Sequence, residues 1–207
     1  YDIVRTREEL DNTPGWRSPQ VFGIFAEGDL AFAEDASRYP SQPSLADLVR
    51  RGIELLQFNR RGYFLVVNAG LGGRAAQLGR GESLLREIAA LDEAVEAARR
   101  FAGEDAVIIV AGLANTGGLQ LNAFSFAPDR GIAVLSPSTA GTPALSWSTG
   151  PTPQPEAPIR QAIATPSDRP LLTSEDLLIL GTQPLVPPQA GHFFWTSDLH
   201  RLLCDKL

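Results

Sequence analysis

Apolar positions along this chain fall into two rhythms. In "PSLADLVRRGIELLQFN" (43–59) they recur every three to four residues, placing Leu45, Leu48, Val49, Ile53 and Leu56 on one face of a predicted helix. Ser44 followed three residues later by Asp47 supplies the pair that caps such a helix. The same spacing returns from Glu82 to Phe101, through Leu84, Leu85, Ile88, Leu91, Val95, Ala98 and Phe101, and predicts a second helix with one buried stripe. The other rhythm is continuous. "GYFLVVNAG" (62–70) and "DAVIIVAGL" (105–113) are apolar throughout, the pattern of strands buried on both faces of a parallel sheet. Strand, helix and strand at this spacing predict a βαβ crossover, and with it an α/β fold.

The flanks are less regular. Residues 1–43 read as irregular apart from a short strand in "VFGIFA" (21–26). "LQLNAFSF" (119–126) and "GIAVLS" (131–136) predict a hairpin around "APDRG". The segment 137–170 is rich in Pro, Thr, Ser and Gly and reads as a long surface loop. "SEDLLILG" (174–181) and "TSDLHRLLCDKL" (196–207) are expected to be two closing helices. No internal repeat and no linker divides the chain, so residues 1–207 are expected to belong to one domain.

Composition narrows the partners. The net charge is −6 with a pI near 5.0, which argues against nucleic acid or an anionic membrane surface. Lys206 is the only lysine, and no basic patch offsets the acidity. No apolar run approaches the ~20 residues of a membrane span. The single cysteine, Cys204, has no internal disulfide partner. The chain starts at Tyr1 and has no methionine, which is read as an expectation that it is a fragment or a processed form.

Residue chemistry alone assembles no catalytic constellation. "GLGG" (70–73) after a predicted strand offers backbone amides to an anion, but it lacks the third glycine of a dinucleotide site and the Lys-Ser/Thr pair of a P-loop. The only histidines, His192 and His200, do not cluster with carboxylates, and both read as surface or packing residues. There is no Gly-x-Ser-x-Gly elbow. Asp92 and Glu93 are adjacent on a predicted helix, so they diverge and read as a solvated face.

The succession of segments is nonetheless specific. "PSLADLVRRGIELLQFNRRGYFLVVNAG", "ALDEAVEAARRFAGEDAVIIVAGLANTGGL" and the closing "DLHRLL" resemble the C-terminal half of the alkaline phosphatase family. "LDEAV" (91–95) and "TGGL" (116–119) match its pattern outright, and the resemblance covers residues 1 to about 150. It implies a three-layer α/β sandwich with a mostly parallel sheet flanked by helices, this chain supplying the C-terminal portion. It also implies phosphomonoester hydrolysis with two zinc ions, a magnesium ion and a serine nucleophile from the upstream half. A homodimer in the periplasm or secreted is implied with it.

Laid on that pattern, the metal-ligand positions are changed. Asn68 stands where the family has its magnesium-binding glutamate, Gly73 where it has an aspartate, and Gln77 where it has a histidine. An Asp-His pair falls on Leu113 and Ala114, the following glutamate on Asn115, and a last histidine on Pro151. Leucine, alanine, glycine and proline side chains carry no ligand atom, and the neutral amides of Asn68 and Gln77 are poor partners for zinc. The resemblance therefore implies a fold kept and a metal site dismantled: no cofactor, and a scaffold or a protein- or ligand-binding role. Two alternatives stand beside this. In one, a metal-dependent hydrolase draws ligands from elsewhere, although the only carboxylates near the 137–170 segment are Glu156, Asp168, Glu175 and Asp176. In the other, Arg74, Asn68 and Asn115 hold a small anion in the old cleft. The glycines at 70, 72 and 73 are expected to make a sharp turn, and Leu113 and Ala114 to add packing.

Overall fold

The computed structural model describes residues 1–17, 20–122, 124–127, 132–135, 143–152, 161–174, 176–182 and 196–204. Among them the order is β1 (Asp2–Val4), α1 (Arg7–Asn12), β2 (Val21–Gly23), α2 (Leu45–Leu56), α3 (Gly70–Gln77) and α4 (Gly81–Ala102). There follow β3 (Ile109–Ala111), β4 (Asn115–Thr116), β5 (Gln120–Leu121), β6 (Phe124–Ala127), β7 (Ile132–Leu135) and β8 (Leu145–Gly150). The chain closes with β9 (Gln161–Pro166), β10 (Leu172–Thr173), β11 (Ile179–Gly181) and α5 (Thr196–Cys204).

The helices expected in 43–59 and 82–101 are present, the first running from Leu45 to Leu56 and the second from Gly81 to Ala102. Ser44 Oγ accepts from the Asp47 amide at 3.1 Å while Asp47 Oδ2 accepts from the Ser44 amide at 3.0 Å, so α2 opens with a reciprocal capping box. Its apolar face delivers Val49 and Ile53 onto Ala94 of α4, forming a core that Leu45, Ala46, Tyr63, Leu65, Ala98 and Ala102 border. The stripe predicted for α4 is only partly buried, because Ile88 and Phe101 are exposed.

The N-terminal segment is more ordered than its sequence suggested. β1 and β2 pair in parallel, and α1 is tied to α2 by a nearly buried arginine. Arg51 donates to the Leu10 carbonyl at 3.1 Å and to the Thr13 carbonyl at 2.7 Å, and it is paired with Glu54. Neighbouring Arg50 reaches Asp11 at 2.5 Å and Glu54 at 3.2 Å. Burial opposes the Arg50 charge, but these two carboxylates outweigh it and leave the guanidinium pKa raised. A 3-10 segment, Ala33–Arg38, docks on α4 through Ser83 Oγ to Glu34 at 2.7 Å and the Ala33 amide to Glu87 at 2.7 Å.

The expected mostly parallel sheet is not seen among the described residues. They form five small sheets, in which only β1–β2 and β8–β9 are parallel. The 62–70 run is not assigned as a strand, and no βαβ crossover joins it to β3, which pairs antiparallel with β11. The backbone is nevertheless extended in its side-chain rhythm. Tyr63 and Leu65 pack on the helical core, while Phe64 and Val66 point out, 55% and 73% exposed. One face is covered by helices, and no described strand pairs with its edges.

Two further expectations are corrected. "SEDLLILG" contains β11 rather than a helix, its Leu180 register opposite Val110 suiting the apolar run as a short strand. Within 137–170, expected as a surface loop, β8 and β9 are strands, and among the described residues β8 holds the two largest fully buried side chains, Trp147 and Leu145. Alternation of Leu145, Trp147 and Thr149 with Ser146 and Ser148 is a strand signal that the surrounding Pro and Gly obscured. The predicted hairpin is present as antiparallel β6–β7, its "PDRG" tip lying outside the described residues.

Candidate functional site

The "GLGG" stretch opens α3. Three glycines in its first four positions cost helix stability, and the burial of Ala75 and Ala76 offsets that cost. The sharp turn expected at Gly70, Gly72 and Gly73 is instead made at Gly79. Its φ is +64°, the Gly79 amide donates to the Ala76 carbonyl and the Arg80 amide to the Ala75 carbonyl, both at 3.0 Å. This is a helix stop that a left-handed residue completes. A Cβ on Gly79 would also meet Pro151 at 3.0 Å.

The positions singled out from sequence gather around this helix. Asn68 lies exposed just before it, with its amide 3.4 Å from where a Gly70 Cβ would sit. Gly73, Arg74 and Gln77 are all on α3 and exposed. Pro151 closes on the α3 terminus through Gly79. Asn115 is in β4, which contacts α3, and Leu113 and Ala114 lead into it. Leu113 is 77% exposed and Ala114 is exposed, so neither adds packing as expected. No described neighbour covers them.

Arg74 sits on a helix rather than a loop. Its guanidinium is 3.6 Å from Asp29 and 3.4 Å from Gln77 Oε1, and the side chain is half exposed. Asp92, Glu93, Asp168 and Asp176 are exposed, in keeping with solvated faces. His192, Glu156 and Glu175 lie outside the described residues. Among the described residues, no three His, Cys, Asp or Glu side chains converge on one point.

The "TGGL" match has a structural reason that the sequence did not disclose. Gly117 and Gly118 have φ of +75° and +60°, and both are buried. A Cβ on Gly117 would sit 2.9 Å from the Trp147 ring, and one on Gly118 2.6 Å from Ser148 Oγ. Ser148 in turn donates its amide to the Gly117 carbonyl at 2.9 Å. Behind this turn Trp147 Nε1 donates to Gln161 Oε1 at 2.9 Å, and the Gly81 amide reaches the same oxygen at 3.3 Å. Trp147, Gln161 and Gly81 thus tie the start of α4 to the β8–β9 pair. Sequence reasoning missed all three, since nothing local marks a partner 80 residues away.

Comparison with known proteins agrees with this segment order. The alkaline phosphatase family model matches residues 1–142. The chain is 33% identical over 125 residues to alkaline phosphatase 4 of Bacillus subtilis (strain 168), covering 59% of this chain and 26% of that protein. It is 35% identical over 81 residues to the tissue-nonspecific alkaline phosphatase isozyme of Gallus gallus, covering 39% of this chain and 15% of that one. Solved structures of a Thermus thermophilus alkaline phosphatase and of a cold-active one from a psychrophilic Shewanella superpose with TM-scores of 0.53 and 0.52. Their identities are 29% and 25%, over 61% and 59% of this chain and 27% and 30% of theirs. The chain thus spans about a quarter or less of the curated relatives it matches. With the family model matching residues 1–142, more than half of its length, the chain belongs to the alkaline phosphatase family.

Proposed function

We propose that this chain is a catalytically degenerate member of its family, keeping the fold as a scaffold for a protein or ligand partner. The observation that carries this reading is the set of residues at the family's ligand positions: Asn68, Gly73, Gln77, Leu113, Ala114, Asn115 and Pro151. These do not fit a zinc or magnesium site. Four of the seven offer no side-chain donor atom, and the remaining three are neutral amides, the wrong charge and softness for a zinc pair. No step of phosphate ester hydrolysis is therefore routed through metal in this chain.

The extended 63–67 stretch supports the partner role. Phe64 and Val66 are an exposed apolar pair on a backbone with no described strand beside it, the setting in which a neighbouring strand adds to an edge. A small anionic ligand is less well supported, because Arg74 already faces Asp29. A dimeric, exported protein follows from the family resemblance and is part of the proposal. No described helix is long and apolar enough to cross a membrane.

The test is a zinc count on the purified, zinc-supplemented and desalted chain, together with turnover of a chromogenic phosphate ester. We expect no zinc at the family positions and no hydrolysis that a chelator abolishes. Two zinc ions per chain with chelator-sensitive turnover would overturn the reading.

A further inference from the structure

The segment that follows α2 alternates like a strand, with Tyr63 and Leu65 turned to the helices and Phe64 and Val66 to solvent. Among the described residues, no backbone amide or carbonyl of residues 63–68 has a hydrogen-bond partner. These groups are obligatory donors and acceptors, and a row of them along an exposed edge is a template for another strand. A tight turn sets where the row begins. Gly62, with φ of +85°, donates its amide to the Asn59 carbonyl at 3.0 Å, and the Arg61 amide donates to Asn59 Oδ1 at 3.1 Å. The turn leaves Arg60 and Arg61 exposed at the entry to the row, and neither is ion-paired among the described residues. By contrast, Arg50, Arg51, Arg74 and Arg86 each face a carboxylate. From Gly62 to Gly73 no residue is charged, so the charge along this edge sits at one end.

We propose that this edge takes an extended peptide, apolar at alternate positions and acidic at its C-terminal end, as an added antiparallel strand. The proposal rests on the scaffold reading above and names the chemistry of the partner. The peptide backbone supplies the missing partners of residues 63–68, and its outward apolar side chains cover Phe64 and Val66. Antiparallel pairing is the more stable arrangement per residue, and it brings the peptide's last residues beside Arg60 and Arg61. There the guanidinium groups meet side-chain carboxylates and the terminal carboxylate, a contact that fixes direction as well as adding strength. The net charge of −6 disfavours acidic peptides elsewhere on the surface, so the arginine pair selects this edge. A second copy of the chain fits less well. Paired antiparallel about Leu65, it sets Arg60 and Arg61 against Gly70 and Ala69, which offer no opposite charge.

The test is fluorescence anisotropy of a fluorescein-labelled peptide of alternating valine and threonine, ending in two glutamates and a free carboxylate, titrated with the 207-residue chain. Saturable binding is expected at low salt, weakening as salt rises. The Kd should rise at least roughly tenfold in Arg60→Glu/Arg61→Glu, a change on an exposed turn whose folding circular dichroism checks. A peptide with glutamines and an amidated end should bind the unaltered chain at least roughly tenfold more weakly. Methylating alternate backbone nitrogens of the peptide should do the same in one of the two phases, since one phase faces the edge. No saturable binding, or an unchanged Kd in the arginine variant, with the glutamine peptide or with both methylated peptides, overturns the proposal. So does a dimer in light scattering that Phe64→Lys/Val66→Lys splits, because a second copy then covers the edge. Failure of the peptide with no bound zinc and no chelator-sensitive turnover leaves the degenerate-member reading standing. Zinc with turnover overturns that reading whatever the peptide does.

Discussion

Arg51 shows how much one side chain can organise. It is 8% exposed, and its guanidinium satisfies the carbonyls of Leu10 and Thr13 where α1 ends against α2. Replacing it with methionine keeps the volume but leaves those carbonyls without their donor. We expect Arg51→Met to cost about 2–4 kcal/mol in urea unfolding, and Arg51→Lys to recover little, since one ammonium does not reproduce the guanidinium fork. A loss below about 0.5 kcal/mol would mean that the latch carries no stability. Gly81 is a second such point. A methyl there would lie 2.5 Å from Leu145 Cδ1 and 2.9 Å from Gln161 Oε1, and Leu145 is fully buried with nowhere to move. Gly81→Ala should therefore destabilise by about 1–3 kcal/mol even though alanine favours a helix. Tyr63 reports through pH. Burial raises its phenol pKa above the ordinary value of 10.0. The neutral phenol is therefore favoured in the folded state, and its contribution is complete below the unfolded value. It is lost as pH rises through the folded one. Stability should fall in the alkaline range above pH 10, and Tyr63→Phe should flatten that fall; an unchanged alkaline limb would assign it to other groups.

At the scale of elements, local signals and long-range ones part company. α2 was readable because both its cap and its stripe are local. Ser44→Ala removes the Oγ acceptor for the Asp47 amide and should cost about 1 kcal/mol in thermal or chemical unfolding; a neutral result would mean the helix entry is held by packing alone. α4 was readable from its spacing, although the stripe overstated its burial at Ile88 and Phe101. α3 was not, because glycines at Gly70, Gly72 and Gly73 argue locally for a loop, while the buried faces of Ala75 and Ala76 decide for a helix. β8 was hidden in a Pro- and Gly-rich stretch whose order comes from pairing with β5 and β9. Of the candidate site, the identity of the residues at the family positions was readable in the sequence. Their setting was not: Leu113 and Ala114 looked like packing replacements and are exposed, and the Gly79–Pro151 closure depends on residues 72 apart.

Across the whole molecule, apolar side chains are unevenly covered. The α2–α4 face and the Leu145–Trp147 layer are closed, while Phe64, Val66, Leu113, Leu172 and Leu178 are each more than half exposed. A run such as Tyr63–Val67 would ordinarily be a buried strand, and here its inner face alone is satisfied. On the scaffold reading this outer face is where a partner sits, so charge placed there should separate folding from association. Phe64→Lys and Val66→Lys remove exposed apolar surface without touching the core that Tyr63 and Leu65 border. The double variant should change unfolding free energy by no more than about 0.5 kcal/mol. It should also bind less of a hydrophobic dye and self-associate less in light scattering. Leu65→Lys, one residue between them and facing the helices, is the control and should cost several-fold more stability than either. A double variant as destabilised as Leu65→Lys would show that the outer face of this segment is already buried within the chain, and the partner reading of 63–67 would fall with it.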